Sequence, residues 1–218
     1  MFTQTNRDHW QSFYRAPDIP GFPSQFSVFV HPWLAGSELP LVELGCGNGR
    51  DAVFFHAQGR RVAVTDQVVG GALRDLASRC DDFGWVEGDV EEGAAGLAGL
   101  VDFSEPVAVY SRFFQHAIDE RQERAVLETL SARLHADSML FFEFRLAQDE
   151  HRPKVFGTDH YRRFQSADDF REVLTEAGLE CVYSCEGHGY AVYGEEDPYV
   201  GRFVARKAAA SRPALRIV

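Results

Sequence analysis

The stretch Val42-Glu43-Leu44-Gly45-Cys46-Gly47-Asn48-Gly49-Arg50-Asp51 constrains this chain more than any other. A short apolar run enters a loop of alternating glycines, and a segment of helical pattern follows to about Gly59. Glycine permits a tight turn and lets a ligand approach the backbone closely. Spacing narrows the choice of ligand. A dinucleotide fingerprint needs glycines at the first, third and sixth positions, and the sixth position here is Arg50. Gly45, Gly47 and Gly49 fall instead at the first, third and fifth, which disfavours a nicotinamide oxidoreductase.

The rest of the chain continues the alternation. Leu41–Leu44, Val62–Val64, Trp85–Val86, Val107–Tyr110 and Met139–Phe144 read as buried strands. Runs this continuous suit a parallel sheet covered on both faces. Between them, Val126, Leu127, Leu130 and Leu134 repeat at helical spacing behind Asp119–Glu120. Phe170, Val173, Leu174 and Ala177 do so behind Ser166, with Asp169 completing an imperfect capping box and Gly178 ending the helix. After Gly178, Leu179–Ser184 and Tyr199–Ala205 are two strands without a helix between them, joined by a Gly-rich turn around Glu186–Gly189. The expected fold is a doubly wound, Rossmann-like α/β sheet of seven strands with an antiparallel C-terminal hairpin at one edge. Asn6–Tyr14 and Ser24–Leu34 read as helical, broken by Pro17, Pro20 and Pro23. One domain over residues 1–218 is expected: a helical extension or lid (1–38), a core (39–207) and a flexible tail (208–218).

Charge excludes some functions. The 218 residues carry 33 acidic and 22 basic side chains, a net charge of −11, which disfavours a binder of duplex nucleic acid. No run approaches the roughly 18–20 apolar residues of a membrane helix, and Met1–His9 lacks a signal-peptide layout, so a cytoplasmic protein is expected. Cys46, Cys80, Cys181 and Cys185 fit no zinc spacing and read as reduced, structural cysteines; no metal is expected. Only Lys154 and Lys207 are lysines, and the other 20 basic residues are arginines. The excess reflects either compositional bias or the recognition of carboxylates and phosphates, for which the planar guanidinium is suited.

Glu43-Leu44-Gly45-Cys46-Gly47-Asn48-Gly49 resembles the first motif of class I S-adenosylmethionine-dependent methyltransferases. The resemblance covers roughly Leu41 to Arg206. It implies that Gly45, Cys46, Gly47 and Gly49 cradle the methionyl part of the cofactor while Glu43 helps hold its amino end, with S-adenosylhomocysteine as product. Asp66 lies 21 residues after Gly45, about the spacing at which an acid reaches ribose hydroxyls, and Gln67 lies beside it. Asp89, followed by Val90, resembles the family's adenine-contacting acid. Ser111 at the end of the fourth strand, and Trp10 and Tyr14 in the N-terminal extension, complete the expected cofactor set. The aromatic residues of the extension either close over the cofactor as a lid or simply pack on the sheet.

Methyl transfer is an in-line displacement, and a hydroxyl acceptor must also lose a proton. In open α/β sheets the groups responsible lie at the carboxyl ends of strands. Tyr110-Ser111-Arg112-Phe113-Phe114-Gln115-His116 lacks both the acid of many family members and the Asn-Pro-Pro-Tyr sequence of nucleobase amino methylation. His116 is either a base or a structural histidine at a helix start, and Arg112 either binds substrate or pairs with a neighbouring acid. Arg145 is a further candidate for the active site and the anion, and the irregular stretch from it to Gln165 carries His160, the second candidate base, with Tyr161, Arg162 and Arg163. This basic cluster would attract an anionic acceptor, unless its arginines pair with local acids. His188 and Tyr190, beside glycines, are further candidates for the acceptor. Pro-Ser-Gln-Phe, Tyr-Ser-Arg-Phe-Phe and His-Tyr-Arg-Arg-Phe together resemble a bacterial branch found near cell-surface glycan or sugar-phosphate genes. The expectation is transfer to a hydroxyl of a small anionic or sugar-like molecule by a monomer or homodimer. The alternatives are an N- or carboxyl-directed methyltransferase, including one acting on protein, and a non-catalytic cofactor-binding partner.

Overall fold

A computed structural model describes residues 21–152 and 161–208. Seven strands form one sheet: β1 (Leu41–Leu44), β2 (Val62–Asp66), β3 (Phe83–Glu87), β4 (Ala108–Arg112), β5 (Met139–Arg145), β6 (Leu179–Gly187) and β7 (Val200–Lys207). Their order is β3-β2-β1-β4-β5-β7-β6. β1 to β5 run parallel, and β7 is antiparallel to both β5 and β6. The expected hairpin is present, but its second strand lies inside the sheet and leaves β6 at the edge. β6 also extends through Gly187, so the connection to β7 is the longer stretch 188–199 rather than a tight turn.

Six α-helices are described: α1 (Gln25–Val30), α2 (Arg50–Ala57), α3 (Gly71–Ala77), α4 (Val90–Gly96), α5 (Glu120–Arg133) and α6 (Ala167–Glu176). None is long and apolar enough to cross a membrane. Both longer helices begin in reciprocal capping boxes, Asp119 with Gln122 and Ser166 with Asp169. Caps of this kind contribute about 1 kcal/mol. In the second, the shorter aspartate takes the part usually played by glutamate or glutamine. α6 then buries Phe170 against Phe142, Phe144 and Phe203, at ring distances of 5.3, 4.8 and 4.9 Å.

Pleating divides the core between the two faces of the sheet. Val42 and Leu44 join the layer containing Leu127, Leu130 and Phe170, whereas Leu41 joins Phe26, Phe55 and Leu73 on the other side. β1 is flanked by β2 and β4, and the chain moves outward in opposite directions from this pair. That switch point lies at the carboxyl ends of β1 and β4, the usual ligand position in such sheets.

Candidate functional site

The glycine loop lies on the β1 side of the switch point. Gly45, Gly47 and Gly49 have φ of +70, +56 and +78°, the left-handed region that side chains with a Cβ adopt at a cost. Space makes the same demand: a Cβ on Gly45 would lie 2.7 Å from Phe114, and one on Gly49 would run into Leu73. The main chain is folded back onto β2, with the Gly45 and Cys46 amides donating to the Thr65 carbonyl at 2.8 and 3.2 Å. Asp66 closes the turn. Its Oδ2 accepts from the Gly47 amide (2.8 Å) and its Oδ1 from the Val68 amide (3.1 Å). Burial raises the Asp66 carboxyl above the usual range, opposed by these amides and that of Gln67.

Glu43 lies beneath the loop, 3% exposed, with Oε2 lacking any hydrogen-bond partner. Burial first, then the charges of Asp51 and Asp66, push its carboxyl well above the ordinary range. Burial likewise raises the Cys46 thiol, which makes it an inert lining group. Asp89 is exposed and accepts from the Glu92 amide at 2.9 Å, capping the helix that Val90 opens. Ser111 is buried, and its hydroxyl donates to Gln115 at 3.0 Å.

A buried cluster that motif reasoning missed fastens α1 over this loop. Asp51, in the first turn of α2, accepts from the Ser24 amide, the Ser24 hydroxyl and the Tyr110 hydroxyl, each at 2.7 Å. Ser24 is also the N-cap of α1. The sequence signal was Ser24 ahead of an apolar helical run, but its partner is 27 residues away. Trp10 and Tyr14, the other expected cover residues, and His160 lie outside the described residues.

Across the switch point the polar groups are side chains paired with one another. Arg112, Glu143 and Arg202 are cross-strand neighbours on β4, β5 and β7. Glu143 is fully buried and accepts from Arg112 Nε at 2.9 Å and Arg202 Nε at 2.7 Å. Arg145 is held by Asp149 at 2.7 Å and Glu196 at 2.6 Å, joining the loop after β5 to the β6–β7 connection. Arg163 pairs with buried Glu123 at 2.5 Å. The pairing alternative for the arginines is therefore the one found at Arg112, Arg145 and Arg163. Arg162 is part-buried, and burial followed by the charge of Arg145 lowers its guanidinium to about 10.

His116 is a poor candidate for a base in this arrangement. Its Nδ1 accepts from the Arg145 amide at 3.2 Å, so a neutral ring carries its proton on Nε2 and has no spare lone pair. Its carbonyl accepts from the Arg163 amide at 2.8 Å. Of the two readings of His116, these bonds support the structural one. His188 bridges Arg152 and the Asp197 carbonyl at 2.5 and 3.0 Å on the β6–β7 connection. The Tyr190 ring packs 4.8 Å from the Arg202 guanidinium, and Tyr161 is exposed. Phe113, immediately after β4, has φ of +57° and is the one non-glycine described residue with positive φ. Its ring lies 4.1 Å from the Arg112 guanidinium and 5.2 Å from His116. A bulky residue held in this conformation stores about 1–3 kcal/mol of strain, and such residues cluster at ligand sites.

This sheet order, with a glycine loop at its switch point, is the fold of solved S-adenosylmethionine-dependent methyltransferases. The chain is similar to Burkholderia thailandensis 1,6-didemethyltoxoflavin-N1-methyltransferase, solved with 1,6-didemethyltoxoflavin and S-adenosylhomocysteine: TM-score 0.70, 20% identity, 94% of this chain and 88% of that one. It is similar to the CcbJ methyltransferase of Streptomyces caelestis, with TM-score 0.67 and 17% identity over 95% and 100% of the two chains. The glycopeptide N-methyltransferase MtfA, solved with S-adenosylmethionine, aligns with TM-score 0.62 and 14% identity over 88% and 97%. At these identities the likeness is one of fold. No protein-family model and no curated protein sequence matches the chain.

Proposed function

We propose that this chain is an S-adenosylmethionine-dependent methyltransferase of a small-molecule acceptor. The observation that carries the reading is the convergence of three left-handed glycines and the carboxyls of Glu43 and Asp66 on one turn at the switch point. When bound, S-adenosylmethionine supplies a methyl group on a sulfonium, and its transfer leaves S-adenosylhomocysteine. Asp66 would accept from the ribose hydroxyls with lone pairs its amide bonds leave open. Glu43 Oε2 would accept from the α-ammonium, a cation that favours the ionised carboxylate which burial disfavours. Asp89 would lie at the adenine end. α1, fastened through Asp51, would help exclude water.

For the acceptor we favour an amine-type nitrogen, which needs no protein base once its own proton is lost. The Arg145 amide occupies the His116 lone pair, and Arg112, Arg145 and Arg163 have internal carboxylate partners. Two of the similar structures are named as N-methyltransferases. The hydroxyl of an anionic or sugar-like compound is the second reading. Arg162 favours it, because its part-buried guanidinium lies close enough to Arg145 to feel its charge, and two guanidiniums together attract an anion. In that case His160 would be the base.

Isothermal titration is expected to show binding of S-adenosylmethionine, and none at millimolar ligand ends the proposal. Acceptors are then screened by mass for the gain of one methyl group. An amine product formed equally well by His116→Ala and His160→Ala variants supports the first reading. A hydroxyl product whose kcat collapses in His160→Ala establishes the second.

A further inference from the structure

We propose that His56, Cys80 and Asp82 form a site for a divalent cation of the Zn(II) type, at the end of the sheet away from the glycine loop. The inference is independent of the methyltransferase reading. α2 starts at the loop and its eight residues carry the chain back about 12 Å, so that His56, in the last turn, reaches the entry to β3. Cys80 and Asp82 lie in the turn just before Phe83. One ligand atom from each of the three residues lies within 4.8 Å of the others, and His56 Nε2 is 3.0 Å from Asp82 Oδ1. Among the described residues this is the one cluster of three such groups.

The donor set decides the cation. Nitrogen, sulfur and oxygen together suit Zn(II), whereas Ca(II) and Mg(II) prefer oxygen throughout and Cu(I) prefers sulfur. With bonds of about 2.0–2.3 Å, a tetrahedral site has ligand-to-ligand edges of about 3.3–3.8 Å. The gaps left to close are therefore at most about 1–1.5 Å, and the Asp82 side chain, one of the three ligands, is half-exposed. The surrounding chain is otherwise fixed. The Asp82 carbonyl accepts from the Val62 amide at 2.8 Å, and the His56 ring meets the Phe83 ring edge-on at 5.7 Å. Binding would replace the thiol proton of Cys80 with the metal and release that proton to solvent, leaving a fourth, solvent-facing position. Sequence spacing could not reveal such a site, because 24 residues separate His56 from Cys80 and only the α2–β3 packing joins them.

Titrating the full chain with Co(II) is expected to produce a thiolate-to-cobalt charge-transfer band in the near ultraviolet, saturating at one equivalent and displaced by Zn(II). The band should vanish in Cys80→Ser and persist in Cys181→Ser and Cys185→Ser. His56→Ala should weaken Zn(II) by more than the roughly 10–100-fold that loss of a ligand's hydrogen-bond partner costs. Zn(II) should raise the Tm of the wild type and not that of Cys80→Ser, with circular dichroism confirming that the variant is folded. Absence of the band in the wild type, or its survival in Cys80→Ser, overturns the proposal. S-adenosylmethionine affinity should be unchanged in Cys80→Ser, which separates this test from that of the methyltransferase reading.

Discussion

On the β1–β2–β3 side of the switch point, Asp66 closes onto the amides of Gly47 and Val68. On the β4–β5–β7 side, Glu143 is closed by guanidiniums from the two flanking strands. The first carboxylate shapes a loop through main-chain donors supplied by its neighbours in the turn, with one amide bond on each oxygen. The second has both oxygens engaged by charged side chains and is fully buried. One side of the switch point is held by main-chain amides. The other is held by paired side chains, with Arg112, Arg145, Arg163 and Arg202 each on a carboxylate.

Glu143→Ala tests the self-contained half and should have the largest effect. The buried Arg202 guanidinium and the part-buried one of Arg112 would lose their partner, at a cost of about 3–5 kcal/mol in denaturant unfolding. A loss below about 1 kcal/mol would show that the triad is not what holds these strands. Next comes Gly49→Ala, which should cost about 1–3 kcal/mol and abolish cofactor binding by calorimetry. Its control is Gly59→Ala, where φ is +83° but the surroundings are open. That variant should cost about 1–2 kcal/mol and leave binding intact. Equal binding losses in both would mean that backbone strain, not the shape of the loop, is being read.

Asp66→Ala should remain folded and bind S-adenosylmethionine about 10–100-fold more weakly, the loss of one or two hydrogen bonds to a charged group. Unchanged affinity would confine Asp66 to bracing the loop. The smallest effect belongs to Glu43→Gln and is seen in pH dependence. The Glu43 carboxyl is raised by burial in the native state, so the folded chain binds a proton that the unfolded chain has released above about 4.3. Its contribution is therefore favourable at low pH and is lost as pH rises through the native value. The glutamine variant carries no such loss, and its stability relative to the wild type should increase between pH 4 and pH 7. Parallel stability curves would refute the assignment.

The same contrast explains what the sequence disclosed. Strand runs such as Met139–Phe144 and the helix behind Ser166 were readable because burial and capping act over neighbouring residues. Gly45, Gly47 and Gly49 were readable because their backbone need is local. The short helices Gly71–Ala77 and Val90–Gly96 were not, being too brief and glycine-rich for a clear period. Arg202 could not be matched to Glu143, because their pairing depends on β7 inserting beside β5 at one particular register. His116 was left in the sequence as either a base or a structural histidine, because the Arg145 amide at its ring nitrogen comes from a strand 29 residues away.

The insertion of β7 also bears on how the chain is made. Last of the strands in order, it fills an interior slot, with β5 on one side and β6 on the other. A nascent chain that has reached only β6 would have an open slot between β5 and β6, beside one edge of the sheet, and Glu143 with one of its two arginine partners. Completion of the sheet must wait until Arg202 and the rest of β7 have left the ribosome.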